Sequence, residues 1–266
     1  MTEAVRGEPG PSALDRLLSA WRDPAVRIRN VDLLAVLLAI LLPWSTTGVA
    51  IAAGLFVIAL IPTLDAGAFW RSLQRPICVL PIAMFTLALV GTLWSDVPWA
   101  ERLHGVGPTA KLLALPLLLY HFERSARGLW VLTAFLVSCV LLMLMSCAAA
   151  FDPALSLKTY FSRGPYLPVS GIVVKNYIDQ GQEFVLCVVA LAYPVMTLLR
   201  TGRIRLAALL AVIALGFLAN MMFVVVSRTA LVTMPVMLAV FALMHLRLRT
   251  AIAALCAAAL LAAKQT

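Results

Sequence analysis

A polytopic, all-α membrane bundle is the fold class predicted, on three observations. The chain has 266 residues, 63% of them hydrophobic and only 12% charged, with a mean hydropathy of +0.99. A water-soluble globular chain is nearer half apolar and a quarter charged. The apolar residues also come in long runs, and the arginines gather in the short segments between them. That is the loop-charge pattern of membrane helices, so the formal charge of +9 points to topology and not to nucleic acid. The alternating ten-residue pattern of a membrane barrel is absent.

Residues 1–30 are polar and carry Arg6, Arg16, Arg22, Arg27 and Arg29. They read as a cytoplasmic tail with a short amphipathic piece around Leu14–Trp21, without the pattern of a cleavable signal peptide. Residues 31–266 read as the transmembrane domain. From Val31 to Ile61 the chain is apolar apart from Asp32 and a break at Pro43-Trp44-Ser45-Thr46-Thr47-Gly48. One helix over this run would be roughly 46 Å long, too long for a ~30 Å hydrocarbon core, so two spans joined at the Pro–Gly break fit better. Further spans are expected at 76–93, 109–121, 128–150, 184–199, 205–224, 229–245 and 250–263, about nine in all. With the N-terminus inside, the inner segments hold twice as many lysines and arginines as the outer ones, which supports this count.

Two outer segments stand out. Trp94-Ser95-Asp96-Val97-Pro98-Trp99 carries two interface-type tryptophans, and 151–180 is the longest loop. That loop contains Pro153, Pro165, Pro168, Tyr160, Phe161, Tyr166 and Tyr177, suiting a sugar-binding platform or a belt of interface anchors equally.

The most polar stretch near any span is Gly171-Ile-Val-Val-Lys175-Asn176-Tyr177-Ile-Asp179-Gln180-Gly181-Gln182-Glu183-Phe184. Read as a helix, it places Lys175, Asp179, Gln182 and Glu183 on one face, with Asn176 and Gln180 on a neighbouring stripe. A polar face beside a bilayer lines a wet cavity or meets partners, which makes it a candidate site. Alternatively it is an interfacial helix start, solvated by headgroups and capped by its own side chains. Arg228, in Val226-Ser227-Arg228-Thr229-Ala230, falls at the outer boundary and needs an anionic partner or water; a guanidinium grips phosphate bidentately, or it snorkels to headgroups. Lys175 and Arg228, with the outer Arg163, go against the charge rule. Lys175 and Arg228 together are a candidate clamp for phosphate or pyrophosphate. Asp179 and Glu183 are candidate bases or cation partners, with Asp179 expected as the ion pair of Lys175.

The five cysteines lie inside apolar runs without a Cys-x-x-Cys pair and read as small buried hydrophobes. His104, His121 and His245 are scattered, so no metal centre is expected. Nucleotide loops, Walker motifs and nucleophile elbows are missing, which leaves no cofactor and favours a substrate arriving within the membrane.

Taken together, Trp94-Ser95-Asp96, Gly171-x-x-x-Lys175-Asn176 through Glu183-Phe184, Ser227-Arg228-Thr229-Ala230 and the first hairpin at Pro43-Trp44-Ser45 resemble the O-antigen ligases and the related O-antigen polymerases, closest to the ligase branch. The resemblance covers most of 31–245. It implies a GT-C-like bundle in the bacterial inner membrane with its active face periplasmic. The implied activity moves a glycan from undecaprenyl pyrophosphate to a sugar of lipid A–core by inverting, metal-independent transfer. The partners are those two lipids and the membrane. On the same footing Arg228 and Lys175 hold the donor pyrophosphate, with Asn176, Asp179, Gln180, Glu183, Ser227 and Arg163 in support. The family continues with a periplasmic loop bearing an essential histidine. The present sequence stops at Thr266, and His104, His121 and His245 do not take that place, so a ligase-type chain truncated at its C-terminus is expected, with catalytic residues unassigned. Three alternatives stay open. A polymerase would use the same donor. A transporter or flippase of a lipid-linked anion would show internal repeats, which are not evident. The last is a structural subunit.

Overall fold

The computed structural model describes residues 23–157 and 170–245, and all the regular structure among them is helical. The chain divides into two compact units. Unit one holds the described residues up to Leu38 together with Ala50–Val131; unit two holds Ala39–Val49 and the described residues from Leu132 onward.

Helix α1 runs Pro24–Leu41. Proline suits a first helical position because its missing N–H would have no intrahelical partner there. The Asp23 carboxylate accepts the Ala25 N–H at 2.9 Å, another of the free donors at that end. Pro43 can neither donate back along the helix nor clear the preceding turn, so α1 stops and residues 42–44 turn. Ser45 then accepts the Gly48 N–H at 3.0 Å and starts α2, Thr46–Leu60. The apolar run 31–61 is thus broken where its Pro–Gly element predicted.

In unit one, α2 ends in a 3₁₀ turn, Ile61–Thr63. Asp65 caps α3, Ala66–Leu73, by accepting Gly67 and Ala68 N–H at 2.9 and 3.2 Å. Helix α4, Pro76–Gly91, continues as a 3₁₀ turn to Trp94. Two further helices follow, α5 over Trp99–Ala110 and α6 over Ala114–Phe122, with a 3₁₀ turn at Lys111–Leu113 between them. Here the expected span 109–121 needs correction. Pro116 lacks the N–H that would bond the Leu112 carbonyl, and the helix tightens and restarts. The regular helix left, α6, is nine residues long, about 14 Å, half of a hydrocarbon core.

The core of unit one is Val31, Ala35, Phe56, Leu60 and Tyr120. At its polar end the Tyr120 hydroxyl accepts the Asp65 N–H at 2.7 Å and reaches the Thr63 carbonyl at 3.2 Å. Asp32, the one charge in the first apolar run, is buried and shared. His121 Nε2 lies 2.8 Å and Ser125 Oγ 2.6 Å from its Oδ1, and Arg127 lies 3.4 Å from its Oδ2. A buried carboxylate costs several kcal/mol unless it is paired and hydrogen-bonded, and this one has three partners.

Unit two is built on α7, Gly128–Phe151; α8, Tyr177–Arg200; α9, Ile204–Ala219; and α10, Arg228–His245. Helix α9 ends in a π turn, Asn220–Val224. Its core gathers Cys139, Leu142, Val173, Phe184, Cys187, Phe217 and Met221, with the rings of Phe184 and Phe217 5.1 Å apart. Helix α8 packs on both α9 and α10. Gly202, at φ +74°, turns the chain from α8 into α9. Gly181 lets α8 and α10 close up, because a Cβ there would sit 2.9 Å from Ser227 Cβ and 3.0 Å from Ala230 Cβ.

Five helical segments are long and apolar enough to cross a membrane: Thr46–Thr63, Pro76–Trp94, Gly128–Phe151, Tyr177–Arg200 and Ile204–Val224. Arg228–Met244 is apolar but shorter. Ile58, Leu80, Leu87, Val137 and Leu215 on these segments expose most of their side chains, as a lipid-facing surface requires. The chain is a multi-pass membrane protein on this count. The expected span 250–263 and residues 1–22 of the expected tail lie outside the described residues; residues 24–30, expected in the tail, already belong to α1. Among the described residues Cys78, Cys139 and Cys187 are buried, Cys147 is half-buried and all four are free thiols, in keeping with packing roles.

Candidate functional site

The polar stretch before α8 folds differently from a continuous helix. Asn176 is the N-cap: its side chain accepts the Asp179 N–H at 2.8 Å, so the helix begins at Tyr177 and Lys175 precedes it in a bend. This changes the ion pair. Asp179, expected to pair with Lys175, instead takes a hydrogen bond from Asn176 Nδ2 at 3.1 Å. Lys175 folds back along α8, and its Nζ lies 2.9 Å from Glu183 Oε1 and donates to the Leu42 carbonyl. Both side chains are largely buried, at 13% and 10% exposure. The second carboxylate oxygen, Glu183 Oε2, is buried with no hydrogen-bond partner among the described residues. Lys175 is therefore a fixed cation tying the first hairpin tip to the start of α8.

Above this pair opens a cleft of about 790 Å³, lined by Trp44, Ser45, Thr46 and Thr47 from the hairpin tip, by Leu157, and by Val174, Lys175, Asn176 and Asp179. Two segments read separately from the sequence, Pro43-Trp44-Ser45 and Lys175-Asn176, thus share one cleft within unit two. The wall is braced from behind: Trp44 Nε1 donates to Ser138 Oγ at 2.7 Å, and Ser138 Oγ donates to the Ile40 carbonyl at 2.8 Å.

Gln180 faces away from the cleft into a buried polar hub. Its Nε2 donates to Ser146 Oγ at 2.9 Å and to the Gly171 carbonyl at 3.2 Å, while Asn220 Nδ2 donates to Ser146 Oγ at 3.1 Å. Ser146 and Asn220 went unnoticed in the sequence. Asn220 had a signal, as the one side chain between Leu206 and Val226 with hydrogen-bonding amide groups, and it sits where α9 changes to a π turn, a frequent mark of a functional or strained position. Gly171, at φ +79°, closes the hub; only a residue without Cβ fits, since a Cβ would lie 2.6 Å from Val224 Cγ1.

The remaining expected residues divide. Ser227 is fully buried, backs onto Gly181 and lies 3.4 Å from the Ala230 N–H at the start of α10. Gln182 bonds Thr233 at 3.2 Å, a second stitch between α8 and α10. Arg228 is exposed at the first position of α10 and is not among the residues lining the Lys175 cleft. Arg163 lies outside the described residues. Trp94-Ser95-Asp96 belongs to unit one, where Arg102 closes the α4–α5 turn by donating to the Thr92 and Val97 carbonyls at 3.1 and 2.6 Å. Among the described residues no group of His, Cys, Asp and Glu could hold a metal ion.

No family model, curated protein or solved structure matches this chain.

Proposed function

We propose that the chain is a membrane glycan transferase of the O-antigen ligase type, and that the cleft of unit two receives the polar part of an undecaprenyl-pyrophosphate-linked glycan at the periplasmic face. The observation that carries this reading is the cleft itself. It joins an aromatic, hydroxyl-rich hairpin tip to a fixed cation and an exposed carboxylate, at the mouth of membrane-spanning helices. Trp44 offers a flat apolar face for a sugar ring, and Ser45, Thr46, Thr47 and Asn176 offer hydrogen bonds.

Lys175 is half-neutralised by Glu183, so its share is a fixed positive end and not a free charge. Arg228 does not line the cleft; it is exposed at the start of α10, the helix packed on α8, and we assign it the pyrophosphate end, which a guanidinium binds in two parallel hydrogen bonds. In the transfer an acceptor hydroxyl attacks the anomeric carbon and the bond to the pyrophosphate oxygen breaks. The leaving group takes the electron pair, and cations in a water-poor site stabilise that charge. The hydroxyl proton goes to Asp179, the carboxylate that lines the cleft; Glu183 is held beneath it by Lys175.

The test is binding of undecaprenyl pyrophosphate by the full chain in nanodiscs, with undecaprenol as control. Arg228→Ala and the double change Lys175→Ala with Glu183→Ala are each expected to weaken the pyrophosphate roughly tenfold, leaving undecaprenol unchanged. A wild-type chain that does not tell the two lipids apart overturns the assignment.

A further inference from the structure

Unit one carries a second arrangement that the glycan reading does not use. Two cavities meet at its arginine-rich end. The first, of about 160 Å³, is lined by Pro24, Arg27, Ile28, Pro62, Thr63, Tyr120, His121 and Arg124. The second, of about 260 Å³, is an apolar groove lined by Arg27, Asn30, Leu34, Leu55, Ile58, Ala59 and Pro62. Arg27 and Pro62 belong to both, so the polar pocket opens onto a greasy groove along α1 and α2.

The arginines are built into place. Arg27 Nη1 donates to the Pro62 carbonyl at 2.7 Å and Arg124 Nη1 to the Thr63 carbonyl at 3.0 Å, both on the 3₁₀ turn that ends the α2 segment. Arg124 also lies flat over the Tyr120 ring, 4.6 Å from its centre. Carbonyls at a helix C-terminus are partly negative and hold guanidinium groups well. Arg27 Nε is buried and has no hydrogen-bond partner among the described residues. A buried donor without an acceptor is costly, and an anion in the pocket would satisfy it. The carboxylates beside the pocket are engaged: Asp65, 3.7 Å from Arg124 Nη2, caps α3, Asp23 accepts the Ala25 N–H, and Asp32 is bonded by Ser125. His121 is turned to Asp32.

The geometry points to a site for one anionic phospholipid, with the phosphate between Arg27 and Arg124 and an acyl chain in the Leu34–Leu55–Ile58–Ala59 groove. Charge complementarity selects the headgroup. The groove selects a lipid over a free anion, because Leu55 and Ile58 are exposed on a membrane-spanning helix and the groove meets the arginines at the boundary of that span. By the loop-charge rule this end faces the cytoplasmic leaflet, which is rich in anionic lipid. Each arginine is worth about fivefold in affinity for such a headgroup.

Native mass spectrometry of the full chain in detergent tests this with dioleoyl phosphatidylglycerol against dioleoyl phosphatidylcholine, with and without millimolar inorganic phosphate. Wild type retains phosphatidylglycerol in preference, and phosphate does not displace it. R27Q and R124Q each weaken retention about fivefold, whereas R27K with R124K keeps the preference. A59F, which fills the groove, and L55A, which strips an exposed wall, both weaken it. Equal retention of the two lipids by wild type overturns the proposal. So does a preference that survives R27Q with R124Q, or displacement by phosphate with L55A unchanged, which makes the pocket a free-anion site.

Discussion

Removing the Lys175 side chain should harm this protein more than removing its partner Glu183. Lys175 Nζ donates to Glu183 Oε1 and to the Leu42 carbonyl, and the residue also lines the open cleft. Glu183 has less. Among the described residues its Oε2 is already buried without a partner, and Lys175 serves the other oxygen. Lys175→Ala therefore leaves a carboxylate, 10% exposed, with neither oxygen satisfied, and breaking a buried pair in that way costs about 3 kcal/mol or more. Glu183→Ala leaves an ammonium that keeps the Leu42 carbonyl and gains cleft water, so its cost is about 1 kcal/mol. The double variant has no bare charge and should lie within ~1 kcal/mol of Glu183→Ala, which makes it more stable than Lys175→Ala alone. The coupling between the sites is then about 3 kcal/mol. The assay is reversible unfolding in mixed micelles with increasing SDS fraction, followed by tryptophan fluorescence. If Lys175→Ala costs no more than Glu183→Ala, or the two costs simply add, the asymmetric reading of this pair is wrong.

Gly171→Ala should destabilise by about 3 kcal/mol in the same assay, since φ +79° is unfavourable for alanine and the new Cβ would overlap Val224. Gly202→Ala, with the same backbone sign but open space around it, should lose only the conformational part, about 1–2 kcal/mol. Asp65 gives a pH dependence: the Ala68 and Gly67 N–H groups, with Arg124 and Arg71 further off, hold its carboxyl below the ordinary value. The folded state thus binds this proton more weakly than the unfolded chain does. The stabilisation is present above the ordinary carboxylate range, at about pH 4, and is lost as pH falls through the lowered value. Asp65→Asn, which keeps a capping acceptor without the charge, should flatten the acid limb of the unfolding profile below about pH 4; an unchanged limb refutes the assignment.

Much of the architecture was legible in the chain because a bilayer leaves few options. Backbone groups in hydrocarbon must bond within their own segment, so each long apolar run is a helix, and Pro43 and Gly202 mark where two of them end. The run 109–121 misled because proline's effect is local: Pro116 divides a stretch whose average hydropathy reads as continuous. The site was legible in part. That Lys175, Asn176, Asp179 and Glu183 gather in one place follows from their polarity beside oil. Who pairs with whom did not follow, because helical spacing assumes the helix includes Lys175, and the Asn176 cap excludes it.

What the sequence by itself determined is therefore the class of the protein, a helical multi-pass membrane chain, and the segments where polar chemistry gathers. Those are one-dimensional properties, set by composition and by the free energy of moving each residue out of water. Tertiary structure alone decided that Trp44 and Lys175 share a cleft. It also decided that Gln180 turns inward to Ser146 and Asn220, and that Arg27 and Arg124 both bond the 3₁₀ turn after α2. These contacts join residues far apart in the chain. No local propensity encodes them; they arise because buried polar groups must find partners, and only the packed fold fixes which partners lie within reach.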